Sequence, residues 1–363
     1  MGLFGGTKIQ AFGLDISDSS IKVAQLNLRA GQLHSAVFAD VPLLDKTISN
    51  HMIVNPERLA GNILKAYNSA RSIDTRFVVC SVPEAKSFVR IIHIPKMEDK
   101  EIANAIPFEL EQDIPIPIDQ VYLDWQILHE QPDRLDLLVT ASSKDYIDSL
   151  VESLHIAKLT PVAMEIGSQA TARALIGPES LNKSVLIVDM GATQTSFIIV
   201  DQGASLYTSS IPTAGNAFTE SVARNLGIPL AEAEKVKVTH GLTTSQVEKE
   251  EGLRQAILPI LDSIIDEIKN VVRFFEEHSD THHTIDTLVL CGGSSRVPGL
   301  IEYVSTRINL GSGKNALSVV QGNPWSNIVS NPAKQAAPMG REQALGYSTA
   351  VGLALRGVSY EAD

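Results

Sequence analysis

The chain has 363 residues, of which 44% are hydrophobic, 20% charged and 5% aromatic, and 30 Lys and Arg against 42 Asp and Glu leave a net charge of −12. At ~150 residues per domain the length holds more than one core, and the acidic balance excludes a general nucleic-acid binder or a surface built for anionic lipid. Two distant cysteines, Cys80 and Cys291, exclude a disulfide scaffold or a Cys-based zinc site and suit a reducing cytoplasm.

No apolar run reaches the ~18 residues of a membrane span. Residues 1–6 lack the basic region of a signal peptide, and Gly6 stands where a myristoylation site needs Ser or Thr. Residues 12–28 alternate as a hairpin: the apolar run Phe12 to Ile16, a polar turn of Ser17, Asp18, Ser19 and Ser20, then a second apolar run. That alternation turns Ile21 and Val23, and one register on Leu26 and Leu28, toward a core. Pro56, Glu57 and Arg58 open a helix that carries Leu64 and Tyr67 and ends near residue 71.

Residues 77–161 read as a block with the order β-β-α-β-β-α, a compact α+β insert. Its strands fall at 77–82, 87–92, 121–128 and 135–141, and its helices at 99–112 and 144–156. Pro107 is expected to kink or break the first of those helices. Residues 184–200 then repeat the opening pattern: apolar strand, Asp189, a small polar turn of Gly191, Ala192, Thr193 and Gln194, apolar strand. One such hairpin in each half is the mark of an internal duplication.

An amphipathic helix over 256–277 places Ile257, Leu261, Ile264, Ile265, Ile268, Val272 and Phe275 on one face. The strand 287–291 runs into Gly292-Gly293-Ser294-Ser295-Arg296. Residues 311–340, rich in Gly, Asn, Ser and Pro, read as a long surface connection. The small residues of a closing helix over 344–354 allow close approach to a neighbouring backbone.

The chemistry concentrates in the two hairpins. Each sets a carboxylate, Asp15 or Asp189, at the mouth of a turn of small residues, where backbone N–H groups and the hydroxyls of Ser17, Ser19, Ser20, Thr193 and Thr195 reach phosphate oxygens. Two facing turns of this kind suit a triphosphate and a Mg²⁺ ion whose waters the carboxylates hold. Either hairpin alone is an ordinary turn; two in order, followed by a strand that ends in Gly-Gly at a helix start, point to a nucleotide. Other motifs carry less. Gly311-Ser312-Gly313-Lys314-Asn315 lacks the first Gly and the Ser or Thr of a P-loop, and His278, His282 and His283 read as a frayed helix end rather than a metal site. There is no Gly-x-Ser-x-Gly or HExxH.

This order of motifs resembles the actin/Hsp70/sugar-kinase superfamily: phosphate-1 at 12–26, connect-1 near 162–175, phosphate-2 at 186–200, adenosine at 288–297 and connect-2 at 344–355. Within it, Ser81-Val82-Pro83-Glu84, Val89-Arg90, Ile94-Pro95, Phe108 to Pro115, Val121 to Trp125, Asn323-Pro324-Trp325 and Val351 to Arg356 are similar to the PilM family of type IV pilus assembly proteins, in the FtsA/PilM branch. The resemblance covers almost the whole chain. It implies an α/β, actin-like (ribonuclease H-like) two-lobed nucleotide-binding fold. The first-lobe core would be residues 1–76, 162–183 and 341–363, with 77–161 inserted as an α+β subdomain and 184–340 as the second lobe.

Carried over by residue, the resemblance implies ATP in a cleft between the lobes, with Asp15 and Asp189 as ligands to Mg²⁺ through water. Ser17, Ser19, Ser20, Lys22, Gly191, Ala192, Thr193 and Thr195 would lie at the phosphates. Gly215 and Asn216 would close over the nucleotide, Glu234 and Lys237 would reach ribose and base, and Gly292, Gly293, Ser294 and Arg296 would form the adenosine floor. A solvated helix face is the plainer reading of Glu234 and Lys237. Gly167 stands where superfamily ATPases place a Glu or Gln that orients the attacking water, with Glu165 and Gln169 on either side, so hydrolysis is expected to be weak or absent and no catalytic residue is assigned. Ala214 replaces a glycine common before Gly215.

The implied role is a cytoplasmic adaptor that holds the N-terminal tail of the inner-membrane protein PilN in a groove by the insert, with residues 77–90 the first place to look. It would link PilN to the pilus motor ATPases and reach the inner membrane only through partners, with self-association left open. Three other readings stand beside it. An FtsA-like filament former would end in an amphipathic helix, whereas residues 356–363 are short and acidic. A GspL-type secretion component would continue into a membrane span, and an active sugar kinase would need a catalytic Asp that no local motif supplies.

Overall fold

The computed structural model describes residues 10–29, 32–43, 47–49, 51–111, 114, 116–243, 248–278, 283–308, 317–329 and 336–358. Residues 1–6, the 311–315 motif, His282 and the chain end after 358 lie outside them. Contacts divide the chain into two units, Met1–Thr171 with Thr349–Asp363, and Ala172–Ser348.

The first unit opens with the expected hairpin, β1 (Phe12–Ile16) and β2 (Ser20–Arg29), extended by β3 (Gln32–Pro42). After the short hairpin β4 (Ile48–Ser49) and β5 (Met52–Ile53) comes helix α1 (Pro56–Ser69). It starts where the Asn55 side chain accepts from the Arg58 N–H at 2.7 Å and Pro56 supplies a pre-set first turn. Strand β6 (Phe77–Val82) then returns parallel to β1. Next in the chain are β7 (Ser87–Pro95), α2 (Asp99–Leu110), β8 (Val121–Glu130), β9 (Arg134–Ser143), α3 (Lys144–Ile156) and β10 (Thr160–Ile166). Strand β10 lies parallel to β6, giving the sheet order β10-β6-β1-β2-β3.

Two elements assigned to the insert from sequence belong to this first sheet. Val78, Val79 and Cys80 of β6 are fully buried, as a central parallel strand requires. Tyr146, Leu150 and Leu154 of α3 pack with Leu59 and Ile63 of α1. The insert is therefore β7, α2, β8 and β9, a three-stranded antiparallel sheet ordered β7-β9-β8 under one helix. Ile102, Ile106 and Leu110 of α2 bury against Leu135, Leu137 and Val139. Helix α2 runs through Pro107 to Leu110, because Ile106 and Leu110, on either side of it, hold the last turn against the sheet.

Helix α4 (Gly167–Leu175) starts in the first unit, and its end, from Ala172, belongs to the second. The second unit's sheet repeats the first: β11 (Ser184–Met190), β12 (Thr195–Asp201) and β13 (Ala204–Ile211) form an antiparallel meander, and β14 (Thr287–Cys291) and β15 (Ser318–Gln321) add in parallel beyond β11. The order β13-β12-β11-β14-β15 matches β3-β2-β1-β6-β10 strand for strand, so the duplication is structural. Strand β15 lies inside the stretch read as a surface connection.

Helices α5 (Gly215–Leu226), α6 (Leu230–His240), α7 (Glu248–His278) and α8 (Leu300–Arg307) cover this sheet. All seven apolar positions read from the sequence on α7 are buried. The unit boundary differs from the expected 183/184 and 340/341. Ala172, Leu175, Ile176 and Leu345 bury with Val185, Ile187 and Ile198, which draws both connecting segments into the second unit. After α9 (Arg341–Ala344), α10 (Ser348–Val358) closes the chain against the first sheet. Added methyl groups at Gly13, Gly352 and Gly357 would overlap the carbonyls of Ala350, Ala170 and Ala11, so the small residues permit the close packing expected of this helix. No described helix is long and apolar enough to cross a membrane.

Candidate functional site

In the first unit, Asp15 sits near the end of β1, opposite Lys22 of β2, which is in turn opposite Asp40 of β3. The Ser81 hydroxyl, at the end of β6, donates to Asp15 Oδ1 at 3.1 Å and accepts the Ile16 N–H at 3.0 Å. Burial pushes the Asp15 carboxyl above the usual carboxylate range, while Lys22 and the Ser81 bond pull it back. The Ser17 N–H donates to the Ser20 carbonyl at 3.0 Å, and the Ser17 hydroxyl accepts the N–H groups of Ser19 and Ser20 at 3.4 and 3.1 Å. Ser17 thus builds the turn from inside. The Asp18 N–H has no acceptor among the described residues.

Beside this turn lies the start of α4. Glu84, in the short 3-10 turn after β6, accepts the Ser168 N–H on its Oε1 at 2.7 Å. An added methyl at Gly167 would sit 3.6 Å from that same oxygen and 3.6 Å from the Thr349 methyl. Glu165, two residues before Gly167, is buried and paired with Arg356 at 2.5 Å, so it is committed to the fold. The missing side chain at position 167 leaves Glu84 as the carboxylate at the head of this helix.

In the second unit, three segments converge on the end of β11. Gly292 has φ +83°, and a methyl there would overlap Asp189 Oδ1 and the Met190 carbonyl, so only glycine brings the end of β14 this close to the acid. The Ser294 hydroxyl donates to the Gly191 carbonyl at 2.7 Å, and the Gly215 N–H donates to the same carbonyl at 3.1 Å. The Asn216 N–H reaches the Ala192 carbonyl at 2.8 Å. The N–H groups of Ala192 and Thr193 have no acceptor among the described residues, and Thr193 is exposed. Ala214 has φ −162°, an extended backbone that alanine adopts without strain, so the absent glycine costs nothing here. Below Asp189, burial and the neighbouring carboxylate hold the Cys291 thiol well above its usual range.

Two expected contact residues, Thr195 and Lys237, turn inward instead. Thr195 is fully buried and its hydroxyl donates to the Thr213 carbonyl at 2.7 Å, which removes it from the turn's surface. Lys237, 3% exposed, donates to the Gly215 carbonyl at 3.2 Å, Thr219 Oγ1 at 2.9 Å and Glu234 Oε2 at 2.6 Å. An ammonium has three donors, and all three are used. Lys237 therefore anchors the start of α5, while Glu234 keeps half its side chain in solvent. Arg296 is exposed and its Nε donates to the Gly293 carbonyl at 3.0 Å. Sequence reading missed Ser81, Glu84 and Thr219; only the Ser81–Glu84 stretch carried a signal, as a family motif without an assigned chemistry.

Each unit thus presents a turn with open N–H donors beside a carboxylate, a donor set for an anion accompanied by a hydrated cation. A family model described as "Type IV pilus assembly protein PilM" matches residues 13–358. The chain belongs to the PilM family. A chain of the PilM–PilN type IV pilus biogenesis complex superposes with a TM-score of 0.80 at 27% identity, covering 97% of this chain and 100% of that one. MreB5 of Spiroplasma citri bound to AMPPNP superposes at 0.56 with 13% identity, covering 96% of each chain, a likeness of fold alone. The cell division protein FtsA of Borreliella burgdorferi is 27% identical over 268 residues, 67% of this chain but 61% of FtsA itself. The PilM-family chain therefore has an actin-like α/β fold, and it spans less than two thirds of that FtsA relative.

Proposed function

We propose that this chain binds ATP with Mg²⁺ and acts as an adaptor of the type IV pilus inner-membrane assembly complex. It would hold the cytoplasmic N-terminal tail of PilN and link it to the pilus motor, associating with the inner membrane through these partners. The observation that carries this reading is the likeness, over 97% of the chain, to the chain of the PilM–PilN complex.

The nucleotide part rests on the donor set. The open N–H groups of Asp18, Ala192 and Thr193, with the hydroxyls of Ser19 and Ser20, suit phosphate oxygens, and Asp15 and Asp189 suit the waters of Mg²⁺. The bound ion would neutralise phosphate charge. Gly215, Asn216, Gly292, Gly293 and Ser294 form the second unit's floor, held by Lys237 from beneath. With no side chain at Gly167, turnover is slow and the nucleotide acts as a ligand that selects a conformation.

Calorimetric titration of a PilN N-terminal peptide into the protein, with and without ATP·Mg²⁺, tests the adaptor. Micromolar binding that tightens with nucleotide supports it, and no binding in either state overturns it. The FtsA relatives favour a second reading, self-association, which sedimentation velocity with and without ATP decides.

A further inference from the structure

Asp18 puts an acidic side chain into a turn whose N–H groups suit an anion. It lies between β1 and β2, and its own N–H has no acceptor among the described residues. A carboxylate on the residue that offers this donor repels a phosphate approaching it. The backbone around it is fixed. The Ser17 hydroxyl accepts the N–H groups of Ser19 and Ser20, the Leu43 N–H donates to the Ser19 carbonyl at 2.8 Å, and Ser20 pairs with Pro42 of β3. With the chain held on both sides, only the Asp18 side chain is left to be turned aside.

The short hairpin β4–β5 supplies the group that turns it. Its base is anchored in the core: Ile48 and Ile53, paired across the hairpin, are both buried, and the Val54 N–H donates to the Thr47 carbonyl at 2.9 Å. The Asn62 side chain of α1 donates to the Thr47 hydroxyl at 3.2 Å. At the tip, His51 has φ +57°, a left-handed backbone that costs a side-chain-bearing residue energy. Its Nδ1 stands 3.3 Å from Asp18 Oδ1, with ring and carboxylate 27% and 20% exposed. The pair is therefore partly shielded from salt and water. Lys22 is already flanked by Asp15 and Asp40 across the ladder, and among the described residues His51 is the ion-pair partner of Asp18.

We propose that His51 is a positioning residue for the nucleotide phosphates. It holds the Asp18 carboxylate on the hairpin side and shields its charge, so that the Asp18 N–H can donate to a phosphate oxygen. This rests on the ATP reading above. The competing role is structural: Asp18 merely ties the hairpin tip to the first sheet, and removing the ring then leaves ATP affinity untouched.

The left-handed backbone supplies the variant that separates these roles. His51→Gly removes the ring at a φ that glycine adopts without strain, and Asp18→Asn removes the charge while keeping the size. ATP·Mg²⁺ affinity is measured by calorimetry for wild type, both single variants and the double variant, with a thermal melt of each without ligand. His51→Gly is expected to bind about tenfold more weakly than wild type, whereas Asp18→Asn binds at least as tightly. In the double variant that loss is expected to vanish, to within about twofold of Asp18→Asn, because the ring acts only through the carboxylate. Wild-type affinity in His51→Gly, whether or not its melting temperature falls, assigns the pair to the fold and overturns the proposal. A double variant as weak as His51→Gly overturns it too. Wild-type protein that binds no ATP overturns the nucleotide reading and this proposal with it, a result distinct from the others because it precedes any substitution.

Discussion

Lys237 donates to the Gly215 carbonyl at 3.2 Å from a site only 3% exposed, so a buried cation fixes the first residue of α5. The same ammonium bonds Thr219 and Glu234. Lys237→Met keeps the apolar stem and removes all three donors; Thr219 Oγ1 loses the bond it accepts, while the Gly215 carbonyl still accepts from the Thr219 hydroxyl at 3.0 Å. Because Glu234 is half exposed and can turn to water, the loss is set mainly by the buried Thr219 oxygen, about 2 kcal/mol. Urea unfolding checks this. Glu234→Gln, by contrast, is expected to cost under about 1 kcal/mol, and the reverse ranking sinks the anchoring role.

Much of the arrangement is legible in the sequence because it repeats a pattern. Alternation around Asp15 and Asp189 marks both hairpins, and the apolar stripe from Ile257 to Phe275 marks α7. What escapes is whatever depends on a partner far away in the chain. The apolar run 77–82 reads the same in an insert as in a central strand; only pairing with β1 and β10 decides it. Lys237 looks like one more charge on a polar helix until Gly215, Thr219 and Glu234 surround it. Glu84 and Ser168, 84 positions apart, meet only in the fold.

Two glycines give opposite expectations. Gly352 in α10 faces the Ala170 carbonyl so closely that any added carbon must displace backbone. Gly352→Ala is expected to destabilise by about 2–3 kcal/mol as α10 lifts from α4, lowering the melting temperature. Gly61, exposed inside α1, has nothing within 4 Å of the same position. Gly61→Ala is expected to stabilise by about 0.5–1 kcal/mol through helix propensity and a less free unfolded chain. Thermal melts of the two variants check both signs.

In the insert, burial alone would raise Asp136, but His93 at 2.7 Å and Arg134 at 2.9 Å more than reverse it and hold the carboxyl below its ordinary range. A depressed carboxyl stabilises the fold above its unfolded value of 3.8, and that stability is lost as pH falls through the lower folded value. Asp136→Asn is expected to cost about 1 kcal/mol at neutral pH and nothing in strong acid, where the wild-type carboxyl is protonated too. Urea midpoints across that pH range, compared between the two proteins, decide it.

Asp15 carries the opposite sign. Its folded carboxyl lies above the unfolded value of 3.8, chiefly through burial, so the folded chain binds the proton more tightly than the unfolded one. Stability from this group is therefore lost as pH rises from 3.8 through the raised value, and stays lost at pH 7. Asp15→Asn removes the buried charge and keeps a group that accepts from Ser81. Without ligand the variant is expected to be more stable than wild type at neutral pH, with the advantage vanishing near pH ~3. Removing Asp15 also relieves Glu84, whose carboxyl it raises, and this adds to the gain. With ATP·Mg²⁺ the order reverses. Wild-type protein gains about 2.7 kcal/mol at a ligand concentration of ~100 Kd, whereas Asp15→Asn is expected to show under half the wild-type thermal shift at the same concentration. A variant that is less stable without ligand yet responds fully to ATP·Mg²⁺ would show that Asp15 serves the fold and not the nucleotide.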